Sequence, residues 1–292
     1  MTSVVLSVIV VLLFIITLAV AYVRFTVYEP ASFAKSVSKR VNDAYIKSEI
    51  ADNITMISNH YGFDSEVITP LLDEIDFKEV SGKYFGDFYN AFLNGEKLPV
   101  SDFGTEVFLT AIENNYSTAL YPDLYEMEEN RTLLAEKYAD AVNISISTLS
   151  IDSVNSALSG IKAPFRKFTD IGRYFTPLII VFIVCFELLL FMLIHNKRTG
   201  SLYTLLLALF TVSMLFTVPF TYLNSQNLVA RFNINLGAGY AYIEAIWNLM
   251  ITSPAVIFTV ISSALLVSLL AVIVTTVFKN NKANSKRFKN SI

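Results

Sequence analysis

The chain has a single cysteine, Cys185, and it lies inside an apolar run. The polar part of the sequence therefore lacks any disulfide framework. A loop-rich domain of a eukaryotic secretory route would often carry several bridges, so the absence favours a bacterial source. Histidine is almost as scarce: His60 and His195 stand far apart, with no HExxH or CxxC spacing, which excludes the common zinc arrangements. There is no GxSxG, no Ser-x-x-Lys with its companion motifs, no phosphate loop and no GxGxxG. Motif-bearing hydrolases, kinases and ATPases are thereby excluded. The expectation is a protein that is not an enzyme and that uses no cofactor and no metal. The apolar runs also lack Lys and Arg altogether.

What the chain does have is apolar length. It has 292 residues, 54% of them hydrophobic, and a mean hydropathy of +0.52. Four stretches account for this: residues 1–23, 177–195, 201–223 and 254–278. Each is long enough for a hydrocarbon core of about 30 Å at about 1.5 Å per residue. The first has no preceding basic region and exceeds a usual signal-peptide core, so it reads as an uncleaved anchor. Thr176-Pro177 and Ser253-Pro254 each set a hydroxyl cap before a first-turn proline at the start of a span.

Charge sets the orientation. The turn His195–Gly200 carries Lys197 and Arg198, and the tail 279–292 carries Lys279, Lys282, Lys286, Arg287 and Lys289. The opposite short loop, 224–253, carries only Arg231. This bias places both termini in the cytoplasm and residues 24–173 outside, in a multi-pass cell-membrane protein. Residues 24–173 hold 14 basic and 23 acidic residues, a net charge of −9. The basic tail fits the anionic inner leaflet, and no basic surface suggests nucleic acid.

Residues 24–173 read as helical. Phe33, Val37, Val41 and Tyr45 recur every four residues, and Ile50, Ile54 and Ile57 continue the stripe from Pro30 to Gly62. Asp64 starts a short helix, Phe77–Leu93 a longer one closed by Asn94-Gly95, and Pro99-Val-Ser101 introduces another. A final helix is expected from near Pro122 to Ser159, with Val142, Ile146, Leu149, Val154 and Leu158 on one face. The fold class is thus an all-α membrane protein. It has four transmembrane helices and one helical extracytoplasmic domain inserted between helices 1 and 2.

Four sets of residues are functional candidates. Glu187 sits mid-way along the second span, where a carboxylate costs at least about 2.5 kcal/mol. Counting equal depth in the neighbouring spans reaches Thr211, Ser213 and Ser268. Together they form an intramembrane polar site: a protonated Glu bonded to hydroxyls, a contact with a partner subunit, or an ion-coupled position. Arg166, Lys167 and Arg173, in a basic and aromatic stretch before the second span, and Lys286, Arg287 and Lys289 in the tail are lipid-interface candidates. Tyr240, Tyr242 and Trp247 suggest a short helix in loop 224–253 lying along the outer interface. The acidic runs Asp73–Asp76 and Glu126–Glu129 read as solvated faces.

The layout of span, large outer domain and three spans resembles, in topology alone, the permeases of the FtsX/MacB type, which work with a cytoplasmic ATPase. The resemblance implies an ABC-type permease-like subunit. In that family the second and third spans are joined by a longer charged segment, whereas here six residues, His195–Gly200, join them. The reading that follows from the residues is a non-enzymatic envelope subunit, sensor or assembly factor. Its partners are membrane lipids and a protein partner or a second copy of itself, with a transporter component or an oligomeric pore through Glu187 as the alternative.

Overall fold

The computed structural model describes residues 2–150, 156, 159–195, 199–231 and 237–289, with side chains at all of these except 2, 3, 199 and 279–289. Among the described residues the chain is helical, with no strand. The helices are α1 (Thr2–Thr26), α2 (Pro30–Ser38), α3 (Asp43–Tyr61), α4 (Ser65–Ile68), α5 (Phe77–Asn94), α6 (Glu106–Asn115) and α7 (Glu128–Ile146). After them come α8 (Lys162–Asp170), α9 (Phe175–His195), α10 (Thr199–Gln226), α11 (Leu228–Arg231), α12 (Gly237–Trp247) and α13 (Ser253–Lys289). Among the described residues four stretches are long and apolar enough to cross a membrane: Val4–Thr26, Lys162–His195, Gly200–Arg231 and Gly237–Phe278. They overlap the four runs expected from the sequence. Val154, Leu158, Lys197 and Arg198 lie outside the described residues.

The chain divides into two compact units. One comprises residues 1–28, 168–228 and 250–292, and the other 29–167 and 229–249. In the first unit α1 packs on α9 and α10, and α10 on α13. Its core joins Val10, Phe14 and Leu18 of α1, Leu189 and Leu193 of α9, Leu205, Leu209 and Val212 of α10, and Phe258 of α13. Most remaining side chains of these helices point outward and are apolar, as a lipid-facing surface requires.

In the second unit α2 packs on α5, and α3 packs on both α7 and α12. Local chemistry fixes the helix ends. Asn42, Asp64 and Asp76 accept N-cap bonds from Ala44, Glu66 and Lys78 at 3.2, 2.9 and 3.0 Å. Gly62 and Gly95 end α3 and α5 in the left-handed conformation, at φ 65° and 76°. The core is built of Ile46, Ile50 and Ile54 from α3, Phe77 and Phe85 from α5, Phe108 and Ile112 from α6, and Leu134, Tyr138 and Ile146 from α7.

Three expectations about this domain are corrected. The stripe from Pro30 to Gly62 is two helices, because Arg40 and Val41 bond back to the Val37 carbonyl and Asn42 caps a fresh start. Val41 stays buried, so the apolar spacing survives the break. The long final helix is interrupted at Met127, whose backbone is extended (φ −76°, ψ 124°). There Asn130 Nδ2 donates to the Leu124 carbonyl at 2.6 Å, and Arg131 Nη1 donates to that of Tyr125 at 2.6 Å. The segment after Pro99 is not yet helical, since α6 begins only at Glu106. Asn143 ties this segment to α7, accepting from the Phe103 N–H at 2.6 Å and donating to its carbonyl at 3.2 Å.

The helix in loop 224–253 also differs from expectation. Tyr242 of α12 does not sit in an interfacial belt but is fully buried in the second unit. Its ring meets Phe85 edge-on at 5.0 Å and its hydroxyl lies 3.3 Å from Ser81 Oγ. Truncating a buried ring of this kind costs about 3–5 kcal/mol. Ala238, Ala241 and Ala245 are also fully buried, so small residues let the helix approach closely. At its start, Glu49 Oε2 accepts from the Ala238 N–H at 2.7 Å, and Oε1 accepts from Ser145 Oγ at 3.1 Å. One carboxylate thereby satisfies a first-turn donor of α12 and ties it to α3 and α7.

Gly237 permits this approach: a Cβ there would lie 2.8 Å from the Tyr45 carbonyl oxygen. Gly237→Ala is expected to destabilise the domain by about 1–3 kcal/mol, as overpacking against backbone does. Trp247 at the end of α12 is the only tryptophan, so its fluorescence reports the loss as a lowered unfolding midpoint. An unchanged midpoint would mean that α12 shifts without cost.

Burial of Tyr84 and Tyr138 pushes both phenols up from 10.0 to about 12. Folding thus favours their neutral forms. Their contribution to stability is complete below about pH 10 and is lost as the pH rises through about 12. Alkaline unfolding followed by phenolate absorbance should show this loss between those values, and a flat stability profile there would contradict it.

Candidate intramembrane site

α9 has two faces. Phe182, Cys185, Phe186, Leu189 and Leu193 turn toward the core of the first unit. Ile180, Val184, Leu188, Phe191 and Ile194 turn outward and are at least half exposed. Glu187 lies on this outward face. It makes no hydrogen bond and no ion pair among the described residues. An unpaired carboxylate on an apolar face is costly in hydrocarbon, by at least about 2.5 kcal/mol.

The four residues expected to gather at mid-depth do not meet. Thr211 and Ser268 are exposed, and each hydroxyl donates to its own helix, to the Leu207 and Ala264 carbonyls at 2.9 Å. Ser213 alone is buried. It belongs to a different cluster, in which Ser262 Oγ donates to Ser213 Oγ at 2.9 Å. Thr217 Oγ1 lies 2.7 Å from Ser262 Oγ and 3.0 Å from the Phe258 carbonyl. These three neutral hydroxyls bridge α10 and α13. They satisfy one another and hold the helices together.

The sequence does contain a signal for this cluster. Ser213 and Thr217 are one helical turn apart on α10, so they share a face. What the sequence leaves open is the register of α13, and equal-depth counting reached Ser268 rather than Ser262.

The remaining candidates stand apart from this cluster. Arg166 and Lys167 are exposed on α8, and Arg173 is exposed in the turn that follows. Arg173 Nη2 donates to Tyr174 Oη at 2.7 Å. Phe165, just before Arg166, packs on Phe92 at 5.5 Å. The side chains of Lys286, Arg287 and Lys289 lie outside the described residues. Among the described residues no three His, Cys, Asp or Glu side chains come together as a metal site would require.

A second surface lies on the helical domain. Leu120, Tyr121, Leu124 and Met127 are 70%, 56%, 52% and 63% exposed. They follow one another along a short turn that Tyr125 anchors, its hydroxyl donating to the Tyr61 carbonyl at 2.5 Å. Asp123, Glu126, Glu128 and Glu129 are exposed among them. The domain also holds a cleft of about 320 Å³ lined by Glu79, Lys83, Tyr84, Asp87 and Asp102 among others.

Thr217→Val removes the hydroxyl that reaches both Ser262 and Phe258. It is expected to weaken the α10–α13 contact by about 0.6–1.7 kcal/mol, the range of hydrogen bonds between membrane helices. Steric trapping or SDS-induced unfolding in micelles measures this. Thr211→Val should leave it unchanged, and an equal effect of the two would contradict the assignment.

Comparison with known protein families, curated proteins and solved structures finds no match to this chain.

Proposed function

We propose that this chain is a multi-pass cell-membrane protein of bacterial type, with both termini cytoplasmic. In this reading its helical domain works outside the cell as a non-enzymatic binding module, in the manner of an envelope subunit, sensor or assembly factor. The basic bias of the short turn and tail supports the orientation. The make-up of the domain is consistent with four spans. Residues 29–167 and 229–249 share one core, and two apolar helices, α9 and α10, separate them in sequence. Two crossings return the chain to the same face of a bilayer.

The observation that carries the binding role is the apolar strip Leu120–Met127. Four large apolar side chains, each more than half exposed within eight residues, are more than scattered surface hydrophobics and mark an interaction patch. The interspersed acids argue against an anionic lipid surface as the occupant. They favour a protein with apolar and basic side chains.

A photocrosslinking residue placed at Leu124 in the protein's own cells is expected to give a discrete protein adduct. The same residue at Glu96, exposed elsewhere on the domain, should give none. Leu120→Asp with Leu124→Asp should abolish the partner's co-purification without moving the unfolding midpoint. Equal crosslinking at both positions, or partner retention by the double variant, would sink the proposal.

A further inference from the structure

The outward face of α9 has a pattern that the binding role of the outer domain does not use. Ile180, Val184, Glu187, Phe191 and Ile194 are spaced by four, three, four and three residues. That is the spacing of a heptad seam, which presents one continuous stripe to a single neighbouring helix. Glu187 is its middle member. A single polar residue within such a seam fixes register and partner choice at some cost in stability. Facing lipid, it bears the cost and specifies nothing.

We propose that this seam receives a transmembrane helix of a different protein, one that carries a Lys or Arg at mid-depth to pair with Glu187. The choice of a different chain follows from charge. The four apolar runs contain no Lys or Arg, so a second copy brings no cation to this depth. Of the exposed hydroxyls that it does bring, Thr211 and Ser268 already donate to their own backbones, and Ser263 is neutral and supplies no counter-charge. A cation at the matching level neutralises the carboxylate and fills its acceptor sites. The inference rests on the membrane-spanning part of the proposed function and is independent of the strip Leu120–Met127.

The test uses the full chain in phosphatidylcholine vesicles, with a photocrosslinking residue at Val184, one turn from Glu187. The probe is a synthetic Leu/Ala helix of about 21 residues, long enough to span, bearing one central Lys. A control helix bears Leu there. The Lys helix is expected to crosslink about tenfold more than the control, as a hydrogen-bonded membrane pair would give. The preference should vanish in Glu187→Leu and be weakened in Glu187→Gln. Equal yields for the two helices would overturn the proposal. So would a preference that survives Glu187→Leu, or adducts made mainly between two copies of this chain. Release of the protein from the vesicles by alkaline carbonate would overturn the membrane reading itself, and the seam with it.

Discussion

The anchoring of α12 inside the helical domain is the contact on which the architecture depends. Tyr242 fills a pocket against Phe85, and Glu49 holds the first turn of α12 through the Ala238 N–H. Because of that contact the domain is made of two pieces of chain, separated in sequence by two long apolar helices. A helix between two spans is thereby held in a protein core.

The membrane unit is held together by different physics. Lipid tails are as apolar as Leu, so burial supplies little drive for one helix to meet another. The contacts that do specify pairing are shape and a few satisfied hydroxyls. Ser213, Thr217 and Ser262 supply them between α10 and α13, while Phe14 and Phe182 stack at 5.5 Å between α1 and α9. Among the described residues of this unit, Glu187 makes no internal hydrogen bond or ion pair, and the buried Thr17 hydroxyl has no partner either.

Much of this was legible from the residues. Four runs without Lys or Arg announce four long apolar helices. Asp64, Gly62 and Gly95 mark helix ends by capping chemistry that needs no tertiary information, whereas Asp76, read as part of a solvated acidic run, turns out to cap α5. The missing parts share one cause, which is that a side chain's character does not say which neighbours it will meet. Tyr240, Tyr242 and Trp247 have the composition of an interfacial belt and equally that of a protein core. Val41 keeps its place in a four-residue stripe although the helix is broken beside it. Ser262 and Ser268 are both hydroxyls on α13, and only helix register separates the one that bonds from the one that faces out.

In the proposed topology residues 29–167 and the segment around α12 belong to one face of a membrane, with the tail on the other. The direct measurement is thiol labelling of intact cells with an impermeant reagent, in a Cys185→Ser background. Single cysteines would replace Glu96, Ser225 and Asn284 in turn. The proposed topology predicts labelling at 96 and 225 in intact cells, and at 284 only after the membrane is opened. Labelling that differs between 96 and 225 would contradict it.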